Sequence, residues 1–347
     1  MTSDGPTEKS PDLELSVRAV SVRRVIERRS PSAPDAPSEG GGRSAQARRA
    51  RVAAGLSELE RWLADQVRKG LAAASESEWQ HLARRLVDAQ APGAAAMVGA
   101  LGEARSAADW PERLLAQITM LHLLAAGHRR LDELPDDLAQ TVRTRVGYLV
   151  TREKVLAGPA VRDLWHVVGR RDEIQDRLVA RRVWLLGRRT GRAALVLTFA
   201  PIGHPLDDSL VTGEVLDASL AFYPGAAPLR ALVATRFDEP VATRLDEPVA
   251  PGVGEPVPPG MSEDEALDTV AKALAGDPWT DSWPLVLAAA LPTAATLGGL
   301  PLHPRVATPW RLIALSGGRP LTVAVEWTPR GLVPLTAWDE HGQAVIL

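Results

Sequence analysis

The chain has 347 residues, a formal net charge of −3 at pH 7 and no cysteine. A chain of this length can form two domains and bury a sizeable core. The absence of cysteine excludes disulfides, thiolate zinc ligands, iron–sulfur clusters and cysteine nucleophiles from this sequence. The slightly negative charge argues against a globally basic nucleic-acid-binding protein, although arginine supplies nearly all of the positive charge and could cluster locally.

The first 44 residues mix serine, proline, glycine and charged residues, and they contain too few apolar side chains to form a core. They predict a disordered tail over 1–44. The N-terminus also lacks the charged and then apolar layout of a secretory signal, so we expect a cytoplasmic protein. One long uncharged segment, 282–304, is interrupted by Pro292 and later glycines, which favours a buried strand at 284–291 over a membrane span.

Residues 45–182 show the spacing of amphipathic helices. Apolar residues recur every three or four positions, as at Leu56, Leu59 and Leu63. Two capping boxes and one proline indicate helix starts, and a glycine before a proline indicates a helix end and the start of another helix. These signals are Ser75 with Glu78, Asp109 with Glu112, Pro135, and Gly158 with Pro159. The segment 45–182 is therefore predicted to be a helical domain.

From about residue 183 the apolar pattern becomes that of β-strands, with Gly- and Pro-containing turns between the last four runs. The runs are AALVLTF (193–199), EVLDASLAF (214–222), WRLIALS (310–316), LTVAVEW (321–327), LVPLTAW (332–338) and QAVIL (343–347). We predict a β-rich domain over 183–347 that ends in an antiparallel meander with one solvated face. The fold class is α+β, with an N-terminal helical domain followed by a mostly antiparallel β domain with a short helix.

A tandem repeat of eight residues interrupts the β-rich domain, with ATRFDEPV at 234–241 followed by ATRLDEPV at 242–249. Each unit ends in Pro-Val and has one large apolar residue, so the repeat cannot form a core of its own. We predict a flexible linker over 234–260 and a short helix over 262–275.

The stretch GRRTGR (187–192) lies between two apolar runs and is a candidate phosphate loop. A P-loop requires the pattern GxxxxGK[ST] followed by a helix. Here three residues separate the glycines, arginine replaces lysine, and a strand-like run follows. The stretch is better explained as the turn of a β-hairpin.

Six arginines around that turn, together with Trp184, could contact the phosphates of a nucleic acid. They are Arg177, Arg181, Arg182, Arg188, Arg189 and Arg192. Acidic residues lie just upstream, and basic residues that flank a hairpin are usually only solvated. Nucleic-acid binding through the arginine-rich hairpin 177–192 is therefore an alternative function, with the last five of these arginines as its candidate contacts.

The sequence assembles neither a metal site nor a catalytic motif. His122 and His128 are six residues apart on one predicted helix and point away from each other, so we expect no metal ion, and no cofactor in this chain. The loop 204–209 contains His204, two aspartates and Ser209, which suit acid–base or nucleophilic chemistry. Such residues are also typical of any loop, and no GxSxG motif accompanies them. We therefore expect that the protein is not an enzyme. A hydrolase that uses the loop 204–209 is the second alternative function.

A long series of sequence blocks resembles one family. The blocks are RVAAGLSELERWLADQVRKGL, LVDAQAPG, WPERLL, VRDLWHVVGRR, RRVWLLGRRTGRAALVLTFA, HPLDDSLVTGEVLDASLAFYPGAAPLRALV, GDPWTDSWPLVL and WRLIALSGGRPLTVAVEW. In this order they resemble the C-terminal region of bacterial, actinobacterial-type SWIM zinc-finger family proteins. The resemblance covers about 45–347, apart from the repeat linker, which looks like an insertion.

In that family a zinc finger of pattern CxCx(n)CxH precedes this region. Without cysteine the present chain cannot form the finger, so neither zinc nor finger-mediated DNA binding carries over to any of its residues. A truncated or frameshifted gene and a finger-less paralogue both explain the missing finger. The resemblance and the lack of a catalytic motif imply a non-catalytic protein-interaction or accessory module. We expect other bacterial proteins as partners, among them a MoxR-type AAA ATPase or a von Willebrand A-domain protein, and no membrane association.

Overall fold

The computed structural model of the protein describes residues 39–71, 75–105, 109–175, 177–237, 257–306 and 309–347. Most of the predicted tail at 1–44 and most of the predicted linker at 234–260 lie outside these ranges. Of the tail, residues 39–44 belong to the first helix, and of the linker, residues 234–236 belong to a strand.

The N-terminal part is helical, as predicted. Its helices are α1 (Glu39–Lys69), α2 (Glu76–Asp88), α3 (Pro92–Gly99), α4 (Leu101–Ala104), α5 (Trp110–Arg129), α6 (Asp136–Val146) and α7 (Arg152–Leu156). The apolar faces of α1–α6 share one core, which includes the fully buried Leu59, Leu86 and Leu121. Each such leucine contributes roughly 1.5–3 kcal/mol to folding through its burial. The spacing of apolar residues therefore identified the core side of these helices correctly.

The predicted helix starts are confirmed in part. Ser75 caps α2 in a capping box with Glu78. Pro135 directly precedes α6. Asp109, in contrast, makes no capping hydrogen bond at α5, and its carboxylate pairs with Arg113 at 2.6 Å instead. The second capping box is therefore wrong, because an arginine one turn into the helix takes the aspartate side chain.

The helical part ends earlier than predicted. Residues 160–182 form strand β1 (Ala160–Gln175) and the first half of β2 (Leu178–Gly187), so Pro159 precedes a strand and not a helix. The alternation of β1 is hard to recognise because polar Asp163 occupies a buried position between Val161 and Trp165. A strand with one buried carboxylate on its apolar side does not show the strict period of two.

Five strands close into a barrel in the order β1-β2-β3-β5-β4. The other three are β3 (Ala193–Pro201), β4 (Val215–Phe222) and β5 (Arg230–Arg236). Neighbouring strands are antiparallel except β3 and β5, which are parallel. Trp165, Leu185 and Leu220 fill the interior. The predicted hairpin is confirmed, since Leu186 of β2 lies opposite Ala193 of β3 across the GRRTGR turn.

A second, antiparallel sheet has the order β11-β10-β9-β6. The remaining elements are α8 (Glu263–Gly276), β6 (Trp283–Ala290), β7 (Thr296–Leu297), β8 (Leu300–Pro301), α9 (Trp310–Ser316), β9 (Leu321–Thr328), β10 (Gly331–Trp338) and β11 (Ala344–Ile346). The strand predicted at 284–291 and the helix predicted at 262–275 correspond to β6 and α8. The α+β fold class is thereby confirmed, with a mostly antiparallel β part after the helices.

The run WRLIALS, predicted as a strand, is the helix α9. Pro309 precedes this helix, and Gly317 ends it with φ 54°, in the left-handed region. Leu312 and Leu315, three residues apart, both pack into the core beneath the second sheet. The residues at both ends of the run and the spacing of its leucines are therefore those of a helix. The strand prediction was wrong because it relied on the β-propensity of single residues in a short run.

The second sheet has no solvated face, contrary to the prediction. One face packs on α8 and α9, where Val270 and Leu312 contact the sheet. The other face packs on the outside of the barrel, where Ala324 meets Val168 and Trp184. The face of β9 that was predicted to be solvated, on which Ala324 lies, therefore forms the contact between the sheet and the barrel. In the described ranges, no helix combines the length and apolar character needed to cross a membrane.

Candidate functional site

A buried carboxylate holds the GRRTGR turn at 187–192. Asp163 of β1 is 1% exposed, and its oxygens accept hydrogen bonds from the N–H of Arg189 (3.1 Å), the N–H of Thr190 (2.9 Å) and the Thr190 hydroxyl (2.7 Å). Burial acts to raise the pKa of Asp163. The hydrogen bonds from Thr190, Arg189 and the N–H of Leu164 together outweigh burial and hold this pKa below its ordinary value.

The structure of the turn explains why glycine occupies positions 187 and 191. A Cβ atom at Gly187 would lie 2.6 Å from both Asp163 Oδ2 and Thr190 Oγ1. Gly191 has φ 63°, which favours glycine. The glycines therefore allow a tight turn around the Asp163 carboxylate, which accepts the N–H groups of Arg189 and Thr190 in place of a phosphate.

Replacing Gly187 with alanine is expected to lower the free energy of unfolding by about 2 kcal/mol, because the methyl group forces the carboxylate and the turn apart. Gly99→Ala is the matched control, since that helical glycine has open space where a Cβ would be and should be neutral or slightly stabilising. Urea unfolding of both variants measures the difference. Equal midpoints would show that the Asp163 contact does not restrict the turn.

Two of the five candidate nucleic-acid contacts are largely buried in ion pairs. Arg181 is 8% exposed and binds both carboxylate oxygens of Asp172 at 2.8 Å, and it also pairs with Asp208. The hydrogen bonds to Asp172, which have the largest effect, and to Asp208 raise the pKa of Arg181. Arg182 is 18% exposed and donates to Ser282 at 2.7 Å. A phosphate could reach these two groups only by displacing their present partners.

The other three candidate contacts lie at the turn. Arg188 is exposed, and its side chain has no hydrogen bond or ion pair with the residues that the structure describes. Arg189 is 66% exposed and pairs with Asp163 at 3.4 Å. Arg192 stacks over the Phe222 ring, 3.8 Å from its centroid, and burial lowers its pKa. The turn therefore offers one fully available guanidinium.

The outer face of β2 and β3 is also inaccessible to a nucleic acid. In five-stranded Greek-key barrels of the OB type, this is the face that binds oligonucleotides. Here it carries Trp184, Leu195 and Leu197, which pack against the second sheet. Nucleic-acid binding stays a prediction, and on this structure it would depend on the exposed turn.

The structure separates the polar residues of the loop 204–209. The Ser209 hydroxyl accepts a hydrogen bond from Arg236 at 2.7 Å, and Asp208 pairs with arginines of β1 and β2. His204 is exposed, and its ring has no bonded partner among the described residues. A hydrolytic site needs the base next to the nucleophile. No contact of that kind joins His204 to Ser209 or to a carboxylate within the described ranges.

The two histidines considered as metal ligands are separated as expected. His122 is 59% exposed, whereas His128 is buried and its Nε2 lies 3.1 Å from the Tyr148 hydroxyl. Burial, with a smaller effect of nearby arginines, lowers the pKa of His128. Among the residues that the structure describes, no group of three or more histidines and carboxylates is placed to hold a metal ion.

A second buried carboxylate, which the sequence did not reveal, lies between the barrel and the second sheet. Glu326 of β9 is 1% exposed and binds Arg171 of β1 and, at 2.9 Å, Arg305, while Arg182 approaches to 4.0 Å. Arg171 and Arg182 also lie 5.5 and 5.6 Å from the centroid of the Trp184 ring. Burial raises the pKa of Glu326 to about 7, against the lowering effect of Arg171 and Arg182. This cluster fastens the two sheets together.

Large apolar side chains are exposed at one end of β1, β2 and β3. They are Ile174 (74%), Leu178 (43%), Phe199 (51%) and Ile202 (55%), and we call these four residues the apolar tip. Strand pairing places Leu178 and Phe199 on one face of the strands, because Leu178 lies opposite Pro201 and Ala180 lies opposite Phe199. Ile174 lies opposite Val179, on the other face of the same strand ends. Large apolar side chains that are exposed together at one end of a sheet are a candidate contact surface for a partner. The GRRTGR turn lies at the opposite end of β2.

The helical core of α1–α6 coincides with a known domain family. Residues 47–146 match the family model of the SWIM-associated four-helix bundle domain. The resemblance to a SWIM-associated region is thereby confirmed for the helices. No curated protein and no solved structure is significantly similar to the chain.

The SWIM-associated bundle is firmly joined to the β part. Arg145 of α6 donates to Asp277 through Nε and through a terminal nitrogen, the latter at 2.7 Å. The indole N–H of Trp279 donates to the Met120 carbonyl at 3.0 Å. The described residues between 47 and 347 form one compact unit. The bundle and the barrel therefore act as a single scaffold on which the apolar tip is presented.

Proposed function

We propose that the protein is a non-catalytic interaction module whose apolar tip binds a partner protein. The exposure of four large apolar side chains at one end of the barrel carries this proposal. Exposed apolar surface costs solubility, and a partner that covers it recovers about 25 cal/mol for each Å² of apolar area. The match to a SWIM-associated domain supports an accessory role, since such a domain accompanies others.

The partner is expected to be another bacterial protein in the cytoplasm, with an apolar centre to its binding surface. The resemblance of the sequence to the region that follows the finger of SWIM zinc-finger proteins supports a MoxR-type AAA ATPase or a von Willebrand A-domain protein as first candidates. The engagement of Arg181, Arg182, Asp208 and Ser209 in internal contacts supports a non-catalytic role over nucleic-acid binding or hydrolysis.

Replacing both Ile174 and Phe199 with serine is expected to abolish binding of the partner, because it removes the most exposed aliphatic side chain of the tip and its one aromatic side chain. The matched control is Leu115→Ser with Leu123→Ser on α5, which are 50% and 42% exposed and lie on the helical bundle. Binding is measured by affinity capture with each of the two candidate partners, purified, and urea unfolding checks that both double variants remain folded.

Capture of a candidate by the wild type and the α5 variant, but not by the tip variant, is the expected result. Equal capture by all three proteins would place the binding surface elsewhere. Capture of neither candidate by the wild type would remove both from consideration.

A further inference from the structure

A cavity of about 450 Å³ lies between the barrel and helix α8, next to the GRRTGR turn. Its lining includes His166 and Arg188 from the barrel, Asp268 and Lys272 from α8, and the apolar Leu186 and Met261. Cavities of this size hold small organic molecules. The cavity is at the opposite end of β2 from the apolar tip, so an inference about it does not depend on the proposed function.

His166 is the most buried polar residue of the lining. It is 4% exposed, and within the described ranges its ring has no hydrogen bond or ion pair. Its neighbours Trp165 and Val167 face the interior of the barrel, so the alternation of the strand turns His166 outward into the cavity. The ring nitrogens are not sealed from the cavity, so a molecule held there can form a hydrogen bond with the imidazole.

Two cations line the cavity, Arg188 from the GRRTGR turn and Lys272 from α8. Neither Arg188 nor Lys272 has an ion pair among the described residues. Of the two carboxylates in the lining, Glu265 accepts from the N–H and the hydroxyl of Ser262 at 2.8 and 2.9 Å through a single oxygen. Asp268 makes no such contact in the described part of the chain. The lining thus carries two cations without an ion pair and two carboxylates.

We propose that this cavity binds a small anionic molecule whose carboxylate or phosphate group lies between Arg188 and Lys272 and bonds to His166. A guanidinium group suits both anions because it donates two parallel hydrogen bonds. Asp268 is placed to accept from an ammonium or hydroxyl group of the same ligand, and Leu186 with Met261 contacts its carbon skeleton. Burial and the charge of Arg188 lower the pKa of His166, so the imidazole is neutral at pH 7 and donates one hydrogen bond to the anion.

The test uses the full chain with histidine side chains labelled with ¹⁵N, titrated with inorganic phosphate or with glutarate against chloride at equal ionic strength. The expected result is a saturable change of the His166 ring signals with at least one of the two anions, with a Kd near or below about 1 mM. Saturation by phosphate alone would identify the head group as a phosphate, and saturation by glutarate alone would identify it as a carboxylate.

Two charge-neutralising variants separate a specific site from a general effect of charge. Arg188→Gln and Lys272→Gln should each weaken the binding at least tenfold. Arg177→Gln removes an exposed arginine that does not line the cavity and should leave the binding unchanged. The proposal is overturned if neither anion produces a saturable change at His166, or if the three variants bind alike.

Discussion

Replacing Asp163 with alanine is expected to lower the free energy of unfolding by about 3–5 kcal/mol at pH 7, because it leaves a tight turn without its buried acceptor. Asp163 is 1% exposed and bonds to two backbone N–H groups and one hydroxyl of the turn. Asp132→Ala is the matched control, since Asp132 is 80% exposed and pairs only with Arg49 among the described residues. Urea unfolding should show a large loss for Asp163→Ala and no measurable change for the control.

The Asp163 contribution should also disappear in acid. The pKa of Asp163 is lower in the folded protein than in the unfolded chain, so the unfolded state binds the proton first as the pH falls. The stabilisation is therefore fully present above the ordinary aspartate pKa of about 3.9 and is lost as the pH falls through the folded value. Wild type and Asp163→Ala should converge in stability in that range. A constant difference down to the lowest pH would mean that the carboxylate charge plays no part.

The second large effect is expected at Glu326. Replacing it with leucine should cost about 3 kcal/mol, because the partly buried guanidinium of Arg171 and a terminal nitrogen of Arg305 then lose their acceptor. Glu326→Gln keeps an oxygen in the same place, and at pH 4 it should be close to the wild type, since Glu326 is then protonated in the folded protein and largely protonated in the unfolded chain. Thermal or urea unfolding at pH 4 ranks the three proteins. If the leucine and glutamine variants are equally stable, the acceptor is not what matters.

The pH dependence at Glu326 has the opposite sign to that at Asp163. Its pKa rises from 4.5 to about 7 in the folded protein, so between these values the folded state keeps a proton that the unfolded state has released. The free energy of unfolding therefore falls as the pH rises from about 4.5 to 7. The loss is roughly 3 kcal/mol, because a pKa shift of one unit corresponds to about 1.36 kcal/mol. Glu326→Gln has no group that titrates at this position, so its stability relative to that of the wild type should increase between pH 5 and pH 8. If this relative stability does not increase, the arginines outweigh burial in setting the pKa of Glu326.

The sequence predicts those parts of the fold that depend on neighbours along the chain. The apolar spacing of α1, the capping box of α2 and the turn between β2 and β3 are all visible in it. The strand β1 was missed because a buried carboxylate interrupts its alternation, and α9 because a short apolar run fits either period. The face of β9 was misjudged because Glu326 resembles a solvent-facing residue until its three arginines are known.

The candidate site was less predictable because its contacts join residues that are far apart along the chain. The sequence shows that arginines crowd 177–192, but not which carboxylates reach them. Arg171 and Glu326 are 155 residues apart along the chain, and Arg182 and Ser282 are 100 apart. The cavity is hidden in the same way, since His166 and Lys272 come from a strand and a helix that only the tertiary fold brings together.

Whether the apolar tip binds a partner protein is tested most directly by a photo-crosslinking amino acid. Phe199→p-benzoylphenylalanine places the reactive group in the tip, and the same change at Leu115 places it on the exposed face of α5. Irradiation in cells is expected to join position 199, but not position 115, to one other protein, and Ile174→Ser in the same chain should abolish that product. No product at 199, the same products at both positions, or a product of two copies of this chain would contradict the proposed function.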